Sequence, residues 1–232
     1  MPIWQSIASA LISDISTGIY RPGDKLPTEA QLASRFGVNR HTVRRALKAM
    51  AEEDLVLSRR GSGVFVCQIP TEYPIGRRVR FHQNLEAAGR LPGKEILTLE
   101  TRKPDPREAE ALQLDGETVH VYEGLSLADG QPIAVFRSVF PAKRFPRILE
   151  SLEQTRSVTR ALQAQGVTDY TRAQTALTAK TASATIALHL RLREGAPVLR
   201  SVGVNIDSDG IPVEYGKTWF AGDRVTLTIK GD

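Results

Sequence analysis

Apolar residues near the start of the chain recur with the period of an amphipathic helix. They occur every three to four positions, and the pattern ends at Gly18, which predicts one helix with a continuous apolar face. The members of this face are Ile3, Trp4, Ile7, Ala8, Leu11, Ile12 and Ile15.

Residues 28–52 contain capping residues and apolar positions that predict two helices joined by a tight turn. Thr28 is a good N-cap for the first helix, and Gly37 stands where a helix end favours a residue that tolerates a positive φ. Asn39 is a good N-cap for the second helix, which continues to about Glu52. The apolar residues on the inner faces of the two helices are Leu32, Phe36, Val43, Leu47 and Met50. Two helices in this arrangement form a helix-turn-helix.

The outer face of the second of these helices is basic. Its side chains are Arg40, His41, Arg44, Arg45 and Lys48. A helix N-terminus also exposes N–H donors and the positive end of the helix dipole, so this face suits phosphate or base-edge partners. Two β-rich runs follow around a turn that contains Arg59, Arg60 and Gly61, and they predict a hairpin with a basic tip.

Each of these features has an ordinary structural explanation when it is taken alone. Neighbouring arginines on a helix are more often a solvated surface, and a Gly-Ser-Gly sequence is simply a turn. Their combination within some 65 residues indicates a winged helix-turn-helix that binds DNA. We assign residues 1–68 to this domain.

Beyond a Pro-containing segment at 69–75, which predicts a linker, the pattern changes to a mixture of strands and helices. Six apolar or alternating runs predict strands at 95–101, 118–127, 133–140, 172–179, 198–206 and 224–230. Helical patterns occur at 81–88, 106–112, 145–152, 157–164 and 182–188. The pairs Asp129-Gly130 and Asp209-Gly210 predict hairpin turns, so we expect residues 76–232 to form an α+β domain with an antiparallel sheet.

Composition narrows the range of protein classes. The 232 residues carry a formal net charge of +5, and seven basic side chains against three acidic ones lie within residues 35–60. The single Cys67 cannot form an internal disulfide, and no Cys or His spacing predicts a metal site. No secretory signal and no run of roughly 20 apolar residues is present, so we expect a cytoplasmic protein that contacts no membrane and needs no cofactor.

The sequence carries no motif of a known catalytic site. It contains no GxSxG, GxxxxGK[ST] or HExxH pattern, and its histidines are scattered. A cluster of three arginines, Arg77, Arg78 and Arg80, instead precedes the predicted helix at 81–88. Positive side chains beside a helix N-terminus can hold a small oxyanion, although they can equally pair with acids such as Glu86.

The N-terminal residues resemble the winged helix-turn-helix of the GntR family of bacterial transcription regulators. The resemblance covers residues 1–66 and includes the string GIYRPGDKLPTEAQLASRFGVNRHTVRRALKAMAEEDLVLSRRGSGVFV. It implies that the recognition helix reads the major groove and that the wing tip approaches the minor groove. The DNA-binding residues would be Asn39, Arg40, His41, Thr42, Arg44, Arg45, Arg59, Arg60 and Gly61. Ala30 departs from the family pattern, which often has a basic residue there, so a phosphate contact is missing or is supplied by Arg35 or Arg45.

Residues 71–232 resemble the effector-binding (UTRA) domain of the HutC branch of that family, whose fold is similar to chorismate lyase. The string YPIGRRVRFHQNLEAAG is similar to regulators of phosphonate uptake and degradation. The resemblance implies a small anionic effector. Its binding residues would be Arg78, Arg80, Phe81, His82, Gln83, Arg137, Ser157, Thr159, Arg172, Glu214 and Tyr215. Arg137 and Arg172 have surface ion pairs as their alternative role, and Glu123 and Ser126 stand where sugar-phosphate-binding relatives commonly present arginines.

These features together predict a homodimeric, ligand-responsive repressor that binds an inverted-repeat DNA operator and controls phosphonate genes. A HutC-type regulator that answers to an amino acid, an imidazole compound or a sugar phosphate is the alternative. An enzyme of chorismate-lyase type is more remote, because only Glu214 with Arg137 or His82 is available as an acid–base pair.

Overall fold

The computed structural model describes residues 2–59, 61–67, 70–76, 81–87 and 89–229, without the side chains of His82 and Gln83. The chain divides into two compact units, residues 1–69 and 70–232. No helix within the described ranges is both long and apolar enough to cross a membrane.

The first unit is built from three helices and a β-hairpin. Its elements are α1 (Ile3–Ser16), α2 (Glu29–Phe36), α3 (Arg40–Glu52), β1 (Val56–Arg59) and β2 (Gly63–Val66). Local signals fix the ends of the two central helices. Thr28 and Gln31 form a capping box at the start of α2, and Gly37 ends it with a φ of 64°. Asn39 caps α3 by accepting a hydrogen bond from the backbone N–H of Thr42 at 2.9 Å. The predicted helix-turn-helix and its hairpin wing are confirmed.

One core joins the three helices and the hairpin of this unit. Leu11, Leu32, Val43 and Met50 are almost completely buried in it. The apolar face of α1 differs from the predicted one, because Ile3 is 63% exposed. Asp14 is buried instead, and it is compensated by an ion pair with Arg35 at 2.7 Å.

Removal of the α2 cap is expected to destabilise the first unit. In Thr28→Ala, the N–H of Gln31 loses the oxygen that it reaches at 3.3 Å, and we expect a loss of about 1 kcal/mol in the free energy of unfolding. Urea denaturation followed by far-ultraviolet circular dichroism measures this loss, with Thr28→Ser as the matched control because serine keeps the oxygen. Equal stability of Thr28→Ala and the unaltered protein would contradict the assigned cap.

The strands of the second unit are β3 (Thr71–Pro74), β4 (Pro92–Arg102), β5 (Val119–Ala128), β6 (Gln131–Pro141), β7 (Thr171–Thr181), β8 (Pro197–Ile206), β9 (Pro212–Ala221) and β10 (Val225–Thr228). Six of them form an antiparallel sheet with the strand order β4-β5-β6-β9-β8-β7, which confirms the predicted fold class. The helices of the second unit are α4 (Phe81–Ala87), α5 (Pro106–Leu112), α6 (Ile148–Thr155), α7 (Val158–Ala164) and α8 (Ala184–Leu190). Asp129 and Gly130 both adopt positive φ in the β5–β6 turn, as a tight hairpin of this kind requires.

Two strands differ from the sequence expectations. Thr71–Pro74, within the segment that we predicted as a linker, forms β3 and pairs in parallel with β10. The run at 212–221 was not among the six predicted strands, yet it forms β9 near the middle of the sheet. Its apolar pattern is interrupted by Glu214, Gly216 and Lys217. Glu214 is nevertheless buried, because residues of neighbouring strands provide its hydrogen-bond partners.

Helices cover both faces of the sheet. On β6, Phe136 and Phe140 pack in the core that contains α6 and α7, whereas Val135 packs near α8 and Val139 near α5. Because successive residues of a strand point to opposite faces, the sheet separates the two pairs of helices. This alternation decides which predicted site residues share a face.

Candidate DNA-binding face and ligand cavity

The outer face of α3 is basic and open to solvent. Its exposed side chains are Arg40, His41, Arg44, Arg45 and Lys48. The opposite face is held in the core of the unit by Val43, Leu47 and Met50. The structure therefore places four of the predicted DNA-binding residues, together with Lys48, on one accessible surface of the second helix of the helix-turn-helix.

Arg44 is held in position by a residue that the sequence did not single out. Its Nε and Nη2 atoms donate to the two carboxylate oxygens of Glu29, at 3.0 and 2.7 Å. This hydrogen bond raises the pKa of Arg44 and lowers the pKa of Glu29 below its usual range. A guanidinium has five N–H donors, so the pair fixes the plane of Arg44 and leaves other donors for a partner.

Two further arginines lie against aromatic rings. The guanidinium of Arg45 is 4.9 Å from the ring centre of Trp4, and that of Arg59 is 4.9 Å from the ring centre of Phe65. Such contacts restrict a long side chain while its charge stays near the surface. Arg35, one of two candidates for the phosphate contact that Ala30 does not provide, pairs with Asp14.

The wing tip combines basic residues with glycine. Gly61 has a φ of 75°, and nothing lies within 4 Å of the position that a Cβ would occupy, so the backbone there is open to an approaching partner. Asn39 and Thr42 stand at the start of α3, where the Asn39 side chain accepts from both the backbone N–H and the hydroxyl of Thr42. Arg60 lies outside the described residues.

The second unit contains a cavity of about 530 Å³ between the sheet and α4, α6 and α7. Five of the predicted effector-binding residues line it: Phe81, Ser157, Thr159, Arg172 and Glu214. Ser157 also caps α7, and the hydroxyl of Thr159 lies 2.9 Å from that of Tyr170. Among the described residues, no three His, Cys, Asp or Glu side chains come together to hold a metal ion.

A buried polar network forms one wall of this cavity. Glu214 is 6% exposed, and its two carboxylate oxygens accept from the Ser138 hydroxyl and the Asn205 amide, each at 2.5 Å. Asn205 in turn accepts from the Nε of Arg172 at 2.8 Å. Gly203 leaves room for this arginine, because a Cβ at that position would collide with the guanidinium. The wall therefore presents a carboxylate whose partners are neutral.

A lysine that the sequence analysis missed provides positive charge in the same cavity. The Nζ of Lys94 lies 3.8 Å from the ring centre of Phe136, 4.8 Å from that of Phe81 and 5.8 Å from that of Tyr122. Burial lowers the pKa of Lys94 to about 8, although the charge of Glu214 counteracts part of the shift. In the sequence, Lys94 beside Glu95 resembles the solvated start of a strand, so no local signal indicates that it lies among aromatic rings.

Two predicted effector residues lie on the face of the sheet that is opposite to the cavity. Ser138 lines the cavity, so its neighbour Arg137 points the other way and pairs with Glu123 at 3.3 Å. Glu214 lines the cavity, so Tyr215 points away from it and packs with the residues around α5. Arg137 is therefore not placed to serve Glu214 as an acid–base partner. Arg78 and Arg80 lie outside the described residues, as do the side chains of His82 and Gln83.

Two family models match the chain. The model described as bacterial regulatory proteins, gntR family, matches residues 4–66, and the UTRA domain model matches residues 87–226. An uncharacterized HTH-type transcriptional regulator of Rhizobium meliloti (strain 1021) is 40% identical over 98% of this chain and 94% of its own length. The probable transcriptional regulator PhnF of Escherichia coli (strain K12) is 32% identical over the same shares of the two chains.

A solved structure has a similar fold. The crystal structure of PhnF from Mycobacterium smegmatis aligns with a TM-score of 0.65 and 24% sequence identity, over 97% of this chain and 99% of that one. The two-part architecture is therefore shared along nearly the whole length of both chains.

Proposed function

The chain belongs to the GntR family of bacterial transcription regulators, with a UTRA domain after its DNA-binding head, and from this premise we propose a specific regulatory role. It is a repressor that binds an inverted-repeat operator as a homodimer and responds to a small anionic effector of the phosphonate or phosphate class. The observation that carries the proposal is the presence of a basic, exposed recognition helix in one unit and a cation-bearing cavity in the other.

In this proposal the head recognises DNA through side chains of different roles. Arg44 offers its free donors to a guanine edge, since an arginine can donate to guanine O6 and N7 together. Arg45 and Arg59 contact phosphates, and Gly61 lets the wing backbone approach the minor groove. A single head makes few base contacts, so two heads related by a two-fold axis bind half-sites about 10 base pairs apart or a multiple of that distance.

The effector acts by changing the balance between dimer states. A ligand that binds more tightly to the state whose heads do not match the operator spacing weakens operator binding by the ratio of its two affinities. The similarity to a relative named PhnF supports a phosphonate as the ligand. The proposed site of action is the cytoplasm, because the repressor must reach its DNA operator.

Selection of genomic fragments tests the proposal in one experiment. Purified protein is mixed with sheared genomic DNA, with and without a phosphonate, and the retained fragments are sequenced. We expect an inverted repeat upstream of phosphonate genes that is retained only in the absence of the ligand. Retention of an inverted repeat that responds to a sugar phosphate or an imidazole compound instead would overturn the phosphonate assignment.

The wing arginine is expected to contribute affinity without sequence preference. Arg59→Ala should weaken binding to specific and unrelated duplexes by similar factors and reduce the slope of log K against log salt by about one per subunit. Fluorescence anisotropy at several salt concentrations measures both quantities. Arg59→Lys is the control because it keeps the charge beside Phe65, and a selective loss for the operator alone would show that Arg59 reads bases.

A further inference from the structure

The ammonium group of Lys94 lies among aromatic rings. Three aromatic rings lie within 6 Å of Nζ, and within the described part of the chain no hydrogen bond or ion pair to this group occurs. The faces of the rings stabilise a cation electrostatically. They provide no oxygen acceptor, however, and an ammonium has three N–H donors to satisfy.

Lys94 is partly buried in the cavity wall. A charge that is partly removed from water without such partners is costly, and the cost falls when an anion reaches it. Lys94 lines the cavity, as do Phe81 and Phe136 of its ring cage, so a ligand in the cavity is adjacent to the ammonium. The rings restrict Lys94 before binding, which reduces the entropy lost when a ligand orders it. Lys94 is therefore prepared for the anionic group of a ligand.

The carboxylate of Glu214 can accept a further hydrogen bond from a ligand. Its carboxylate accepts two hydrogen bonds from the neutral groups of Ser138 and Asn205, and no cation pairs with it directly among the described residues. Arg172 reaches it only through Asn205. A carboxylate has about four acceptor positions, so capacity remains for a donor from the ligand. Glu86 also lines the cavity, but it is exposed and its charge is screened by solvent.

We infer that the effector is a small zwitterion, whose anionic group binds the ring-caged ammonium of Lys94 and whose protonated amine binds the carboxylate of Glu214. A cavity of about 530 Å³ is large enough for a short aminoalkyl chain between two charged ends. The inference rests on the proposed function for its anionic group, which is a phosphonate there, and it adds the requirement for the amine.

Matched ligand pairs test this requirement. Full-length protein is titrated calorimetrically with 2-aminoethylphosphonate and ethylphosphonate, and then with β-alanine and propionate. We expect each amine-bearing ligand that binds to do so roughly ten- to hundredfold more tightly than its partner without the amine, as the loss of a charge-assisted hydrogen bond implies. Equal affinity within both pairs, or no binding by any of the four ligands, would overturn the inference.

Substitutions of Lys94 and Glu214 test which end of the ligand each side chain binds. Glu214→Gln should abolish the preference for the amine, so that the two members of each ligand pair bind with affinities within about twofold of each other, and Lys94→Met should weaken every ligand. Lys143→Met is the matched control, since Lys143 is exposed and pairs with Glu117 at 3.2 Å outside the cavity lining. An unchanged circular dichroism spectrum and operator affinity show that each variant is folded. Unaltered ligand binding in folded Lys94→Met would contradict the role of the caged ammonium.

The same titrations separate this inference from the proposed function. If both phosphonates bind equally well and release the operator, the proposed function stands and the zwitterion is wrong. If β-alanine binds with the predicted preference while neither phosphonate binds, the zwitterion stands and the phosphonate assignment fails.

Discussion

Arg44→Ala lowers operator affinity by roughly ten- to hundredfold per half-site and relaxes the preference for one base pair. The expectation follows from the position of Arg44 on the exposed face of α3 and from its bidentate pair with Glu29, which holds the guanidinium plane before DNA arrives. A side chain that is already oriented loses less entropy on binding, so we expect a large contribution of Arg44 to operator affinity.

Fluorescence anisotropy with the operator and with single-base variants measures this effect. Arg44→Lys retains the charge but not the fork of donors, so it should keep non-specific binding and lose the base preference. Lys48→Ala is the matched control for loss of one positive charge from the same helix, because Lys48 is 77% exposed and its ion pair is with Glu52 of that helix. Unaltered affinity and base preference in Arg44→Ala would show that the recognition surface lies elsewhere.

Arg102→Met destabilises the second unit by about 3 kcal/mol, because it leaves the carboxylate of Glu108 buried without its cation. Glu108 is completely buried, and the Arg102 guanidinium reaches its two oxygens at 2.7 and 2.9 Å. Burial raises the pKa of Glu108, but the hydrogen bonds from Arg102 and from the Asp105 backbone more than offset this and hold the pKa below its usual range.

The stability that Arg102→Met loses should depend on pH in a defined direction. The pKa of Glu108 is lower in the folded state, so its stabilising contribution is present above its ordinary pKa and is lost as pH falls through the folded-state value. Urea denaturation should therefore show a difference between Arg102→Met and the unaltered protein that is large at neutral pH and shrinks in acid. The double variant with Glu108→Met should recover most of the stability, and a double variant as unstable as the single one would contradict this explanation.

Local chemistry made most of the head predictable. Thr28, Gly37 and Asn39 act within three residues of themselves, so their capping roles are visible in sequence and the structure has the expected helix ends. The pair of Arg44 with Glu29 spans 15 residues and depends on the packing of α3 against α2. No periodicity in the sequence indicates it.

The cavity was less predictable because its chemistry depends on long-range contacts. Ser138 and Glu214 are 76 residues apart and meet only because β6 pairs with β9. The same pairing decides which side of each strand faces the cavity, and for that reason the sequence could not indicate that Arg137 and Tyr215 lie outside its lining. The place of Lys94 in the cavity could not be predicted from the sequence, since it depends on contacts with three aromatic rings of other elements.

The central claim is that a ligand in the cavity of the second unit controls DNA binding by the first. The most direct measurement is the operator dissociation constant of the full-length protein by fluorescence anisotropy as 2-aminoethylphosphonate is added. The account predicts that this constant rises with ligand concentration to a plateau, and that Lys94→Met shifts the rise to higher concentrations. A ligand that binds the protein calorimetrically and leaves the operator dissociation constant the same at saturation would contradict the claim.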